Sequence, residues 1–275
     1  MICRMLFRSL VLFVALTPAC GRGDEELLII HEGDLPIVIS APHGGTIDLP
    51  DVPIRKGEGL KKGGAGFFSG RDGGTEELAL EVVKRLDEKL PGAPSCVISR
   101  VHRKYVDFNR PPEIGVEHDK ARTIHDSYHQ SLQSTVRRIR EKFGSGLLVD
   151  IHGQGSSATT VFRGTSNGLT VQGLRMKLGE ESHTGEHSLL GLLKTTGWKV
   201  HPDPFSDKEQ SGFTGGHIVR TYGSHRPDGI DAVQLEFGAD YRKAAAREKV
   251  AGELADAIVQ YAERYLNVAP ATSAR

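Results

Sequence analysis

PIVISAPHGG, residues 36–45, and LLVDIHGQG, residues 147–155, share one grammar: an apolar run that stops at a histidine followed by glycine. Short, continuous apolar runs bounded by Gly and Pro read as buried strands. A strand that only had to turn needs the glycines but not His43 or His152. The same logic predicts strands at 27–31, 36–42, 95–101, 147–152, 158–163, 197–201, 217–222 and 231–237. Amphipathic helical patterns fall between them at 75–90, 119–143, 185–195 and 240–267. Strands alternating with helices predict an α/β, three-layer sandwich with a mixed, largely parallel central sheet. Ligand sites in such folds gather beyond the carboxyl ends of the strands, where both histidines fall.

Bulk properties narrow the partners. The 275 residues carry 35 Lys+Arg and 35 Asp+Glu, so the formal net charge is zero. A chain without a basic footprint is not expected to bind nucleic acid. Arg4 and Arg8 precede an apolar stretch at 10–16, then small residues and Cys20, the layout of a secretory signal. Residues 1–20 are therefore expected to be a signal peptide and 21–275 a single domain. Cys20 followed by GRGDEE resembles a lipoprotein cleavage site. The expected location is periplasmic, membrane-anchored through a lipid on Cys20, or secreted; an uncleaved N-terminal anchor is the alternative. With Cys3 in the leader and Cys20 removed or lipidated, Cys96 stands alone as a core residue, and no disulfide framework is expected.

The two histidines call for a third ligand. In RDGGTEELALEVVKRLDEKL, Thr75 reads as an N-cap, and Leu78, Ala79, Val82, Val83, Leu86 and Leu90 define a buried helix face. Glu76 projects near that buried side, where a carboxylate is costly unless paired or metal-bound; a purely electrostatic role at the helix N-terminus is the alternative. Asp72, on the approach to the helix, is the competing candidate. His43, Glu76 and His152, with Asp72 as the alternative to Glu76, make a two-imidazole, one-carboxylate zinc set that leaves a position open for water. Asp150 shares strand parity with His152 and is offered as its hydrogen-bonding support.

Two further stretches carry polar groups where packing does not ask for them. In AVQLEFG, residues 232–238, Val233, Leu235 and Phe237 take one strand face and Ala232, Gln234 and Glu236 the other. Glu236, near a strand end, suits a general base that accepts a proton from an activated water; a salt-bridged structural role is the alternative. YVDFNRPP, residues 105–112, groups Asp107, Asn109 and Arg110 just before two prolines. The Arg110 fork suits a carbonyl or a carboxylate; an exposed loop arginine is the alternative.

The ordered motifs SAPHGG, DGGTEELA, SRVHRKYVDFNRP, VDIHG, GGHIVRTYG and VQLEFG resemble the N-formylglutamate amidohydrolase family over residues 36–260. That family is similar to the zinc carboxypeptidases and the aspartoacylase-like deacylases. The resemblance implies a zinc-carboxypeptidase-like fold and one zinc per chain held by His43, His152 and a carboxylate. It further implies Asn109 and Arg110 as a substrate-gripping pair and Glu236 as the base. His217 and Arg220 fall at the pocket rim, with Arg220 available to a substrate carboxylate, and His129 matches a Tyr-His feature. The implied activity is metal-dependent hydrolysis of an amide in an N-acyl amino acid, N-formylglutamate-like. The expected partner is a small molecule or short peptide bearing that amide and a carboxylate. The alternatives are a carboxypeptidase-like peptidase acting on extracellular or cell-wall peptides, and a binding lipoprotein without chemistry.

Overall fold

A computed structural model describes residues 27–63, 66–202 and 206–271. The expected leader and Cys20 lie outside the described residues. Among the described residues seven strands form one sheet: β1 (Leu28–His31), β2 (Ile37–Ala41), β3 (Ser95–Ser99), β4 (Leu147–Gly153), β5 (Val161–Gly164), β6 (Val200–His201) and β7 (Asp231–Phe237). Their order is β1-β3-β2-β4-β7-β5-β6. The centre, β3-β2-β4-β7, is wholly parallel, while β1 and β5 join it antiparallel. Helices α1 (Thr75–Lys89), α2 (Pro112–Gly115), α3 (Asp119–Phe143), α4 (Gln172–Leu178), α5 (Glu181–Thr184), α6 (Leu189–Thr195), α7 (His217–Tyr222) and α8 (Ala244–Tyr265) cover both sheet faces. The three-layer α/β sandwich is the expected fold class. No helix among the described residues is long and apolar enough to cross a membrane.

Two cores follow from strand parity. Ile37, Ile39, Val149, Ile151, Val233 and Leu235 pack with α1, α6 and α8. Val38, Leu148 and Ala232 face the other way, against α3 and α7. On α1 the periodic residues Leu78, Ala79, Val82 and Leu86 are fully buried, as the spacing predicts; each leucine contributes about 1.5–3 kcal/mol by leaving water. The sheet face toward α3 and α7 changes character along each central strand. Val38 gives way to Ser40, Leu148 to Asp150 and His152, and Ala232 to Gln234 and Glu236, all buried. Apolar residues at the amino ends anchor the strands, and the carboxyl ends hold a polar, buried cluster.

Three expectations are corrected. Residues 217–222 form α7, not a strand. Ile218, Val219 and Tyr222 lie on one helical face against the α3-side core, and Asn109 supplies the cap from a distant segment. Its backbone carbonyl accepts from the His217 amide at 3.4 Å and its Oδ1 from the Ile218 amide at 2.9 Å. Gly74, left-handed at φ 88°, occupies the cap position expected of Thr75, whose hydroxyl donates back to the Asp72 carbonyl at 2.8 Å. The expected strand at 158–163 starts late, as β5, because residues 157–160 turn around the Gln154 side chain, and the one at 197–201 shortens to β6.

Buried charge pins the two long connections. Arg55, 3% exposed, donates to the carbonyls of Phe68, Arg103 and Ile114 and so ties the 46–74 loop to the body. Glu209 does the same for residues 206–216, accepting from Arg163, the Thr165 amide and the Asn167 amide. Beside it, burial pushes His183 down to about 2, with Arg163 and Arg175 adding to the effect. An unfolded histidine titrates near 6.5. Below that pH the unfolded chain binds a proton that the folded chain refuses, so the contribution of His183 is present above about 6.5 and lost as pH falls. The expected cost is about 1.4 kcal/mol per pH unit below 6.5. Urea unfolding of His183→Gln between pH 7 and 5 should give a shallower pH slope than wild type; identical slopes would refute the assignment.

Candidate metal and amide-hydrolysis site

The site begins two residues past β2, where His43 lies in the fold interior. Its ring meets that of His152, at the end of β4, with centroids 4.9 Å apart. Asp72, at the end of the 46–74 loop, comes between them. The His43 Nδ1 lies 3.3 Å, and the His152 Nδ1 3.4 Å, from the same Asp72 Oδ2. The far nitrogens are already committed. His43 Nε2 is 2.8 Å from Asp107 Oδ1, and His152 Nε2 is 2.7 Å from Asp150 Oδ2. Because carboxylates only accept, both Nε2 atoms donate. Two Nδ1 lone pairs and a carboxylate oxygen are then left facing one another. Three acceptors in one buried place demand a proton or a cation.

The electrostatics express the same demand. Burial opposes charging His152, yet Asp150 and Asp72 carry it up to about 10. Burial likewise opposes ionisation of Asp72, but hydrogen bonds from His152 and His43 hold it well below the ordinary carboxylate range. Four buried carboxylates, Asp72, Asp107, Asp150 and Glu236, surround the pair, with Arg103 as a cationic partner. Arg103 donates from Nε to Asp107 Oδ2 at 2.9 Å and approaches Asp72 Oδ1 at 3.7 Å. A divalent cation bound by the two Nδ1 atoms and Asp72 would replace the protons in this balance. His43, Asp72 and His152 form a candidate metal group whose ligand atoms all lie within 4.8 Å of one another. The donor set fits: two imidazoles held by carboxylates on their other nitrogens, plus one carboxylate.

Of the two carboxylates considered for the third place, the structure brings Asp72, not Glu76, to the histidines. Glu76 stands on the first turn of α1, turned toward Arg100 at 3.4 Å, and burial raises it from its ordinary value with Arg100 opposing. The expected support of His152 by Asp150 is present, because both project from the same face of β4. No local pattern in the sequence predicts Asp107 as the partner of His43. Arg103 and Asp107 do sit four apart in SRVHRKYVDFNRP, the spacing of an ion pair, and that was the available signal.

Glu236 lies opposite His152 in the β4–β7 register. Its Oε1 accepts from Gln234 Nε2 at 2.8 Å, and Gln234 Oε1 in turn accepts from the Gly216 amide at 2.8 Å and Asn109 Nδ2 at 3.2 Å. Burial, opposed by the charge of His152, pushes Glu236 up to about 7. Asn109 thus touches the site directly, its Nδ2 also 3.3 Å from His152 Nε2. Arg110 donates from Nε to the Gly66 carbonyl at 3.0 Å, which brings the 46–74 loop to the same border. Arg220 is exposed and donates to Ser166 Oγ at 3.0 Å; burial, with Arg103 and then Arg220 adding to it against Asp107, lowers Arg110. His217, at the start of α7, is half-buried, and burial brings it to about 4. His129 does not reach the metal group. Its Nε2 donates to the Phe108 carbonyl at 2.8 Å, and His125 Nε2, one turn earlier on α3, donates to the Arg110 carbonyl at 3.0 Å. The pair grips the backbone on either side of Asn109.

The profile of the N-formylglutamate amidohydrolase family matches residues 115–241, which include His152, His217, Arg220 and Glu236. The chain resembles the N-formylglutamate amidohydrolase family. Among solved structures, the N-formylglutamate amidohydrolase from Ralstonia eutropha JMP134 superposes with a TM-score of 0.56 at 17% identity, covering 84% of this chain and 94% of that one. The two share a fold. The succinylglutamate desuccinylase from Chromobacterium violaceum gives 0.39 at 15% identity over 84% of this chain and 63% of that one. An N-acetylmuramyl-L-alanine amidase from Mycobacterium smegmatis gives 0.35 at 14% over 84% and 96%. Comparison with curated proteins gives no match. The family match supports a hydrolase acting on an amide bond.

Proposed function

We propose that this protein is a zinc-dependent amidohydrolase that cleaves an N-acyl amino acid, of the N-formylglutamate kind, in an exported setting. The observation that carries the reading is the convergence of two histidine Nδ1 atoms on one Asp72 oxygen, with Glu236 across the strand pair. A divalent ion bound there supplies Lewis acidity, polarising a carbonyl and lowering the pKa of water towards about 7. Glu236 accepts the proton of the attacking water as the carbon–oxygen bond forms. It then delivers that proton to the amide nitrogen as the carbon–nitrogen bond breaks, releasing an acid and a free amine. Gln234 holds Glu236 in place through its Oε1. Arg110, with Asn109, orients the substrate and stabilises the developing oxyanion; losing one such donor commonly costs about 3–4 kcal/mol. Arg220 and His217, on the rim, take a substrate carboxylate. Export, by cleavage of the leader or through a lipid on Cys20, belongs to the same proposal and rests on the residue pattern of the leader.

The test is hydrolysis by purified mature chain, loaded with zinc, of N-formyl- and N-acetylglutamate, their neutral analogues, and short peptides. Turnover of the acylated amino acids, abolished by a chelator and restored by zinc, is the expected result. Turnover of peptides alone would replace the substrate by a peptide end. A chain that binds zinc yet hydrolyses none of these would leave a binding protein.

A further inference from the structure

The three segments that bring Asp72, His152 and Glu236 together arrive from a loop and two strands, and one side chain meets all three. Arg242 ends the turn Ala239–Arg242 that follows β7. Its Nε donates to the Phe237 carbonyl at 3.0 Å, next to Glu236. Its Nη2 donates to the Gln154 carbonyl at 3.3 Å, two residues past His152. Its Nη1 donates to the Gly73 carbonyl, next to Asp72. A planar guanidinium presents several donors in a rigid fork, so three carbonyls on one fork are fixed relative to one another.

Two glycines show how closely the segments are drawn in. A Cβ placed on Gly153, next to His152, would lie 2.7 Å from the guanidinium carbon of Arg242. A Cβ on Gly74 would lie 2.5 Å from the Arg242 carbonyl oxygen. Gly153 also gives its amide to Asp72 Oδ2 at 3.1 Å, so the segment that Arg242 holds is itself a hydrogen-bond donor to the candidate ligand.

We propose that Arg242 is a positioning residue that clamps the Asp72, His152 and Glu236 segments into one metal-binding arrangement. This rests on the metal reading given above. Loss of the fork lets the three segments move independently, and the ligand atoms lose their common centre. Partners outside the ligand sphere typically tune metal affinity by roughly 10- to 100-fold, and the same range is expected of Arg242→Ala. Arg242→Lys, with a single ammonium in place of the fork, should fall between that variant and wild type.

Zinc affinity by competition with a chromogenic chelator, together with hydrogen exchange of the full chain, decides the matter. Arg138 is the control. It also clamps a carbonyl, donating to Gly33 at 2.9 Å and to Ser95 Oγ at 3.0 Å, but next to the amino end of β3, away from the site. Arg242→Ala should weaken zinc binding and raise exchange in 72–76, 152–156 and 236–239 together, while Arg138→Ala should do neither. Wild-type zinc affinity in both Arg242 variants, or an equal loss in Arg138→Ala, overturns the proposal. If wild type takes up no zinc, the metal reading fails by itself. Exchange alone then judges the clamp: concerted loss in the three segments upholds it, and unchanged protection overturns it.

Discussion

Glu236→Gln should keep its metal and its fold and lose nearly all turnover. The substitution preserves shape, and the glutamine Oε1 still accepts the hydrogen bond that Gln234 Nε2 makes to Glu236. Folding is little affected, because burial already pushes this carboxyl up to about 7 and its neutral form is at home in the site. What is lost is the ability to accept and return a proton. General-base contributions are typically about 10²- to 10⁴-fold, and kcat should fall in that range while KM holds. Activity within about threefold of wild type would remove Glu236 from the mechanism and leave it as a structural partner of Gln234. Loss of zinc alongside activity would make it a contributor to metal binding instead.

Asp72→Ala and Glu76→Ala should separate just as sharply. Asp72 Oδ2 stands 3.3 Å and 3.4 Å from the two histidine Nδ1 atoms, whereas Glu76 faces Arg100 at 3.4 Å. Removing Asp72 deletes one of the three proposed ligands and leaves the histidines without their shared anion. Its effect should exceed the roughly 100-fold upper range for outer partners, so Asp72→Ala is expected to purify without stoichiometric zinc. Glu76→Ala should bind zinc as wild type does. The reverse pattern by metal analysis would return the third ligand to the helix and discard the Asp72 assignment.

The contrast between these two carboxylates shows where sequence reasoning loses its grip. His43, His152 and Glu236 were legible because strands have a period of two and end in recognisable turns; parity also placed Asp150 beneath His152. Helical periodicity, readable over many residues, points to Glu76, while Asp72 belongs to a loop with no period to read. The path of that loop is set by Arg55, which bonds the Arg103 carbonyl, by Arg103, which approaches Asp72 at 3.7 Å, and by Arg110, which bonds the Gly66 carbonyl, each across a long stretch of chain. The mistaken strand at 217–222 has a similar cause. Ile218 and Val219 favour strands locally, but Asn109 caps the segment as a helix from more than a hundred residues away.

From the chain alone came the layered α/β class, the central strands, the long helices α1 and α3, and three of the polar groups at the strand ends. Periodic burial is a local property, written into neighbouring residues, and it survives without knowledge of the fold. Only the tertiary structure decided that Asp72 joins the histidines and that Asp107 supports His43. It alone showed that His125 and His129 grip the Asn109 backbone and that Arg242 spans three segments. Each of those depends on groups brought together across long stretches of chain, where hydrogen-bond geometry is set to tenths of an ångström that no local pattern encodes.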